Sequence, residues 1–407
     1  MIKKKVFVAM SGGVDSSVAA ALLKKRGFDV VGIHMRCYNV DGCAEQDVED
    51  ARRAAEVLGI PFYVFDFEKD YKNKVVNYMI DGYRKGITPN PDVMCNKEIK
   101  FGLFLKKSLE MGADYVATGH YVRLRRVISN SQLVIRNSKN QLPITHAYRQ
   151  AGNYQLQVAC DLNKDQSYFL WTLTQEQLKH CLFPIGEYTK PRVRALARKF
   201  GLFNADKKDS QGICFLGRVR LDDFLSKYIK PKVGQVRLAL GDNSYKTIGE
   251  HRGAHFYTIG QRHVGIMNQE SGIKGRGQIK PRYVVAKNIK TNTLVMASDG
   301  DPALYTKEIE LTDVNLFNPI IHNSKFIIPV LARVRYRQPL VKAKLVISNQ
   351  QLVNRKSKNQ LPITNYQLLF SKPIKFVAPG QSAVFYRARR SLDGGGYELL
   401  GGGIIKS

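Results

Sequence analysis

The sequence predicts an α/β N-terminal domain built on a doubly wound parallel sheet, followed by a β-rich C-terminal part. Two observations carry this. Strand and helix signals alternate through the first 120 residues, and short β-type runs broken by Gly, Asn, Asp and Pro take over near Pro231. At about 150 residues per domain, 407 residues make two to three domains. A content of 44% hydrophobic and 10% aromatic residues supplies packed cores and excludes a disordered or fibrous chain.

The alternation begins with an apolar strand at 6–10, an amphipathic helix at 18–26 closed by Gly27, and a strand at 30–35. A charged helix at 45–58 follows, then a strand at 62–67 after Pro61, helices at 71–83 and 97–109, and a strand at 115–118. Strands separated by helices of this length read as βαβ units. Two more helices are expected at 166–179 and 191–200, the second with Pro191 in its first turn and Gly201 at its end. Strands are expected at 283–286, 294–297, 326–337, 340–347 and 383–388. The longest apolar run, 18–23, is far short of the ~18 residues a membrane span needs. Neither a membrane segment nor a signal peptide is expected, and six scattered cysteines fit a reducing cytoplasm rather than a disulfide scaffold.

Net charge is +30, yet residues 1–100 hold 16 basic against 14 acidic groups, while the remainder holds 48 against 20. A near-neutral start and a polycationic remainder favour a polyanionic partner such as nucleic acid, because neutralising phosphates releases counterions. A solubilising surface is the alternative. One internal repeat stands out: residues 128–145 and 347–364 agree at 15 of 18 positions. Both copies lack acids and are rich in Asn, Gln and Ser, which suits exposed loop insertions without a catalytic role.

SGGVDS, residues 11–16, follows a strand and opens a helix, so its glycines and successive amides can form an anion nest at the helix N-terminus. The chain contains neither GxxxxGK[ST] nor GxGxxG. The same residues also suit a plain helix cap after a glycine turn. NPDVMCN, residues 90–96, places Cys95 just before the helix expected from Lys97, where the macrodipole would favour thiolate, and Asp92 beside it can handle a proton. Cys95 reads equally as a small buried hydrophobe. Cys214, in DSQGICFLG, has apolar neighbours that suit a core cysteine, yet two thiols in such loops can also run persulfide and disulfide exchange. Cys37, Cys43 and His34 have spacing too wide for a usual zinc pair, so no metal site is expected, and Cys160 and Cys181 read as core thiols. RVRYRQ, residues 333–338, mixes basic and aromatic groups suited to phosphate contact and base stacking, or to an exposed strand.

Together AMSGGVDSSVAA, GIHMR, TPNPDVMCNKEIKFG, ATGHY, NKDQSYFL, KKDSQGICFLG, YTIGQR, YVV, RVRYRQ and PGQSAVFY resemble, in order, the motifs of the tRNA-specific 2-thiouridylases of the PP-loop ATP pyrophosphatase group. The resemblance implies an ATP-dependent sulfurtransferase that adenylates C2 of the anticodon wobble uridine and replaces its oxygen with persulfide sulfur. It implies that Ala9, Met10, Ser11, Gly12, Gly13, Val14, Asp15 and Ser16 hold ATP phosphates, that Met35 and Gly119 flank the adenosine, and that Asp15 helps organise Mg2+. Cys214 matches the persulfide carrier, and Cys95 the thiol that releases sulfur and closes a disulfide with it. Asn90, Pro91 and Asp92 match contacts to the target base; His120, Lys164, Asp165, Gln166, Arg335, Tyr336 and Gln381 match further tRNA contacts. His120 also reads as a satisfied core histidine. The implied partners are tRNA and a persulfide donor such as a cysteine desulfurase or sulfur-relay protein, with no membrane. The expected layout is a PP-loop domain over 1–211, a small central domain over 212–279 and a C-terminal β-barrel over 280–407.

Overall fold

The computed structural model describes residues 3–40, 42, 44–127, 153–209, 212–213, 215–217, 219–241, 244–267, 280–317, 326–350, 363–389 and 396–406. The chain opens with β1 (Lys5–Ala9), α1 (Val14–Lys25), β2 (Asp29–Arg36), α2 (Ala44–Val57) and β3 (Phe62–Asp66). Two helical rods follow. The first runs through Glu68–Tyr71, Lys72–Val76 and Asn77–Arg84, the second through Pro91–Met94, Cys95–Phe104 and Leu105–Glu110, and the middle stretch of each is wound as a π-helix. Then come β4 (Tyr115–Ala117), the hairpin β5 (Val122–Val127) and β6 (Asn153–Val158), and β7 (Cys181–Leu182).

β1 to β4 and β7 form a parallel sheet in the order β3-β2-β1-β4-β7. Alternate residues of β1 face opposite covers, as period-2 side chains on a doubly covered sheet must. Val6 and Val8 pack with Val18, Leu22 and Val193 on one side. Phe7 packs with Phe65, Val75 and Phe104 on the other. The chain leaves β1 toward β2 through α1 but pairs β1 with β4 on its other edge, so the strand order reverses there. Such a switch point leaves a crevice beyond the carboxyl ends of the strands.

A four-stranded central sheet follows, of β8 (Gly234–Ala239), β9 (Tyr245–His251), β10 (Arg282–Asn288) and β11 (Thr293–Ser298), in the order β10-β11-β8-β9. β10 and β11 lie beyond the expected boundary at residue 279, yet β11 pairs in parallel with β8, which places them in the central unit. The cause is long-range pairing, which local composition does not encode. The last strands are β12 (Tyr305–Leu316), β13 (Phe326–Arg333), β14 (Val341–Gln350), β15 (Ile363–Lys375), β16 (Ser382–Arg389) and β17 (Gly396–Ile405). They pair in the order β12-β15-β14-β13-β16-β17, and a β12–β17 ladder closes a six-stranded barrel. β6 extends the same sheet through β17, so the β5–β6 hairpin of the N-terminal region is hydrogen-bonded to the barrel.

Several expected elements differ. The helix expected over 166–179 is a 3₁₀ turn, Ser167–Leu170, and a separate short helix, Gln175–Leu178, started by a Thr174–Gln177 capping box. Ser167, Tyr168, Leu170, Trp171 and Leu173 are all buried, so the apolar spacing there marks a segment wrapped on every side, not one helix face. Strand β13 ends at Arg333, and Arg337 adopts φ +63° in the turn that follows. Cys160, expected in the core, is exposed, whereas Cys181 is buried. The first repeat copy lies outside the described residues. The second copy is not wholly a loop: its ends extend the β14–β15 hairpin, with Ile347 opposite Tyr366 and Gln350 opposite Ile363, and Ile347 is buried.

The segment Ser167–Leu173 locks the N-terminal domain to the barrel. Trp171 Nε1 donates to Ser382 Oγ at 3.0 Å, the Tyr168 hydroxyl donates to the Ser382 carbonyl at 2.9 Å, and Asn315 Nδ2 donates to the carbonyls of Trp171 and Leu173 at 2.7 and 2.9 Å. A Cβ on Gly402 would come within 2.7 Å of the Trp171 ring, so only glycine lets the indole lie on β17. Trp171→Ala is therefore expected to cost about 3–5 kcal/mol, read by urea unfolding. Because Trp171 is the sole tryptophan, the red shift of its emission should track the separation of the two domains.

Candidate functional site

The SGGVDS loop sits at the switch point. Gly12 adopts φ +76°, and a Cβ there would meet the Asp47 carbonyl at 2.6 Å, so both conformation and the approach of α2 demand glycine. Lys207 holds that approach through Asp47 at 2.9 Å and Asp50 at 2.7 Å. Buried Asn204 donates to the Gly12 carbonyl and to Ser17 Oγ, each at 3.0 Å. Ser16 Oγ accepts from the Ser11 amide at 3.2 Å and donates to the Gly13 carbonyl at 3.1 Å. Gly13 is the N-cap of α1 and offers no side chain to the first-turn amides. Their N–H groups and the macrodipole are thus directed toward whatever anion occupies the loop. The plain-cap alternative does not describe this loop, since no side chain caps the helix.

The loop after β4 closes the other side. A Cβ on Gly119 would lie 2.7 Å from the Ser16 amide nitrogen and 2.9 Å from the Asp15 carbonyl carbon, so the two loops touch backbone to backbone. Ala9 and Met10 are buried at the end of β1, and Met35 is half-buried near the end of β2. His34 lies within 3.0 Å of the Met10 carbonyl through Nδ1, an interaction that ties β1 to β2 at the loop. Cys43 lies outside the described residues.

A charge network lies against Asp15. Lys190 Nζ reaches both Asp15 oxygens at 2.8 Å and Asp209 at 2.7 Å, and the Tyr121 hydroxyl donates to Asp15 at 2.8 Å. Asp209 also meets Lys164 at 2.6 Å and Arg194 at 3.4 Å. Burial would lift the Asp209 carboxyl, but the hydrogen bonds from Lys164 and Lys190 outweigh it and hold it below the usual carboxylate range. Burial, then the Asp15 charge, pushes the Tyr121 phenol strongly upward. Lys190 and Asp209 carry no loop-motif signal, because the chain brings them to Asp15 from 175 and 194 positions away.

Cys95 does not precede a helix. Asn90 caps it, accepting from the Val93 amide at 3.2 Å, and Pro91 occupies the first position, so the helix starts six residues earlier than expected and Cys95 is in its second turn, buried. The expected placement for a thiolate is therefore not met: Cys95 lies beyond the first turn, where the macrodipole acts most strongly. Asp92 is half-buried, and burial holds its carboxyl above the usual range, partly offset by Lys100. Cys214 lies outside the described residues. Its neighbour Phe215 is buried among Tyr38, Tyr71 and Phe224, with ring centroids 5.6–6.3 Å apart, and its carbonyl accepts from the Val40 amide at 3.1 Å. Tyr71 belongs to the first rod, which meets the Cys95 rod through Lys74 and Glu98 at 3.4 Å.

The residues expected at RNA are mostly fasteners in this structure. His120 is buried between Phe101 and Phe183 with Nδ1 2.7 Å from Thr118 Oγ1, and burial drives its pKa well below the ordinary value, so it is the neutral, satisfied core histidine and its ring does not face solvent. Asp165 is also inside, 3% exposed, accepting from the Ala159 amide and the Ser167 hydroxyl. Gln166 accepts from the Tyr121 amide at 3.0 Å, and Lys164 pairs with Asp209. Arg335 donates to the Phe376 carbonyl at 3.0 Å and to that of Ile259, joining barrel to central unit. Tyr336 lies on Phe169, ring centroids 4.5 Å apart. Gln381 donates to the carbonyls of Thr88 and Pro89 at 2.9 and 3.2 Å, holding the NPD segment against the barrel. A pocket of about 270 Å³ there is lined by Asn90, Met94 and Lys97 from the rod and by Asp313, Asn315 and Ser382 from the barrel.

Family models described as the tRNA methyl transferase HUP domain, the tRNA methyl transferase PRC-barrel domain and the aminomethyltransferase beta-barrel domain match residues 4–218, 222–298 and 306–405. The tRNA-specific 2-thiouridylase MnmA 1 of Geobacillus kaustophilus is 41% identical over 95% of this chain and 93% of its own. MnmA of Bacillus licheniformis is 40% identical over 98% and 94%, and MnmA of Flavobacterium johnsoniae 36% identical over 99% and 100%. With anion loop, rods and barrel in one chain and identity of this extent over nearly the whole length, the protein belongs to the tRNA-specific 2-thiouridylase family.

Proposed function

We propose that this protein is an ATP-dependent tRNA sulfurtransferase that converts the anticodon wobble uridine to 2-thiouridine. The observation that carries the reading is the glycine-rich anion loop facing Gly119 at the switch point of a chain that also holds Cys95 and Cys214. In this reading the uridine O2 attacks the α-phosphorus of ATP and pyrophosphate leaves, which turns a poor oxygen leaving group into AMP. The terminal sulfur of a Cys214 persulfide attacks C2 and expels AMP. Cys95 thiolate then attacks the Cys214 sulfur, releasing the thiolated base and forming a Cys95–Cys214 disulfide that an external thiol reduces.

Ala9 to Ser16 bind the phosphates, Met35 and Gly119 flank the adenosine, and Asp92, whose carboxyl burial holds above its usual range, serves the target base with Asn90 and Pro91. Magnesium, when bound, would neutralise phosphate charge; Asp15 in the loop fits an ion held by one carboxylate plus phosphate oxygens. tRNA contacts are assigned to Lys164, Gln166, Arg335, Tyr336 and Gln381, with His120 and Asp165 acting from inside by fixing the loops that carry them. The basic excess beyond residue 100 supports an RNA partner. A persulfide-bearing protein of the cytoplasm supplies the sulfur.

The test is incubation with Mg-ATP, a persulfide donor, a reductant and unmodified tRNA, with the digested nucleosides weighed by mass spectrometry. 2-Thiouridine at the wobble position is expected; a methylated base, as the family-model descriptions name, or no new base would sink the reading. Cys214→Ser is expected to keep RNA-dependent AMP formation while abolishing thiolation, and normal thiolation by that variant would refute its role. Gly119→Ala drives a methyl group into the Ser16 amide and is expected to lower AMP formation by about 100-fold, the scale for losing one aligned backbone donor.

A further inference from the structure

We propose that Lys190 is the phosphate-binding cation of this nucleotide loop, with Asp209 as the residue that positions it. The inference rests on the ATP-dependent reading above and extends it to residues outside the loop motif. A P-loop carries its own lysine, which reaches the β- and γ-phosphates. Residues 9–16 carry no cation, and their single charged group, Asp15, is negative. A triphosphate at this loop therefore needs a positive group from elsewhere in the chain.

Lys190 meets that need by position. Its helix, Lys190–Lys199, packs against α1, and its ammonium lies 2.8 Å from both oxygens of the loop's own Asp15. Only 9% of its side chain is exposed, so solvent screens it weakly. Its backbone amide donates to Asp161 at 2.9 Å, which fixes the helix start. Lys164 and Arg194 also enter the network, but they meet Asp209 and not Asp15. Asp15, Asp161 and Asp209 balance Lys190, Lys164 and Arg194 charge for charge, so the ammonium is held by carboxylates it can exchange for a phosphate. Exchanging an Asp15 oxygen for a phosphate oxygen leaves the Asp209 contact at 2.7 Å to hold the ammonium in place. As the bond between the α-phosphorus and its bridging oxygen breaks, charge gathers on pyrophosphate, where such a preorganised cation stabilises it.

Charge-pair logic separates this role from a structural one. Lys190→Gln alone leaves two carboxylates facing each other, so its loss of binding has two causes. The double variant Lys190→Gln, Asp209→Asn removes one charge of each sign and relieves that repulsion. The full-length variants are compared by calorimetry with Mg-ATP and with inorganic pyrophosphate, alongside tRNA-dependent AMP formation and thermal unfolding. The double variant is expected to unfold near the wild-type temperature yet bind pyrophosphate at least tenfold more weakly and form AMP at least 100-fold more slowly. Lys190→Arg keeps the positive charge and is expected to bind pyrophosphate more tightly than the double variant. Double-variant binding less than tenfold weaker than wild type overturns the inference. A wild type that binds neither Mg-ATP nor pyrophosphate overturns the ATP-dependent reading itself.

Discussion

The stretch from Gly86 to Asn90 is where all three parts of the chain meet, and the position of the Cys95 rod depends on it. A Cβ on Gly86 would lie 2.4 Å from the Ile289 side chain, so the turn that ends the first rod is pressed directly on the central unit. Thr88 Oγ1 lies 3.3 Å from Thr258 Oγ1, while the Thr88 amide donates to the Pro379 carbonyl at 2.8 Å and its carbonyl accepts from Gln381. Asn90 then caps the second rod. Central unit, barrel and helix cap are therefore set by five consecutive residues. A displacement of the barrel is carried to the start of the Cys95 helix through hydrogen bonds rather than through a compliant linker.

The same economy explains why residues matched to RNA contact serve as fasteners. Arg335, Gln381 and Lys164 each spend their donors on carbonyls or carboxylates of another part of the molecule. Bonds from a charged donor such as Arg335 are worth roughly 1.5–3 kcal/mol each, and neutral ones such as those of Gln381 about 1 kcal/mol. RNA phosphates that engage these groups must compete with those partners.

The N-terminal half was legible because parallel βαβ order leaves a local imprint: β1, β2, β3 and β4 lie within a residue or two of their expected limits, and the glycine loop stands where the motif put it. Legibility failed where burial came from a distant partner. The apolar spacing of 166–179 mimics a helix, but Trp171 and Tyr168 are apolar because β16 and β17 cover them. β10 and β11 look like the first barrel strands until β8 claims β11. His120 carries the motif of a surface contact, and Phe101 and Phe183, which make it a core residue, come from other elements. The Asn90 cap was readable in principle, since Asn followed by Pro is a helix-start signal. Lys190 was not readable at all: a lysine before a proline announces nothing about a carboxylate 175 residues earlier.

The segment carrying Cys214 is tied at both ends to different chemistry. Asp209, five residues before it, is gripped by Lys164, Lys190 and Arg194 in the network beside the anion loop. Phe215, the residue after it, is set among Tyr38, Tyr71 and Phe224, on the rod that packs along the Cys95 helix. One end thus answers to the charge state of the nucleotide loop and the other to a rigid aromatic layer. A change of partners at Lys190 would alter the hold on Asp209 and leave the contacts of Phe215 with Tyr38, Tyr71 and Phe224 untouched, so the charge network and the aromatic layer answer to different events.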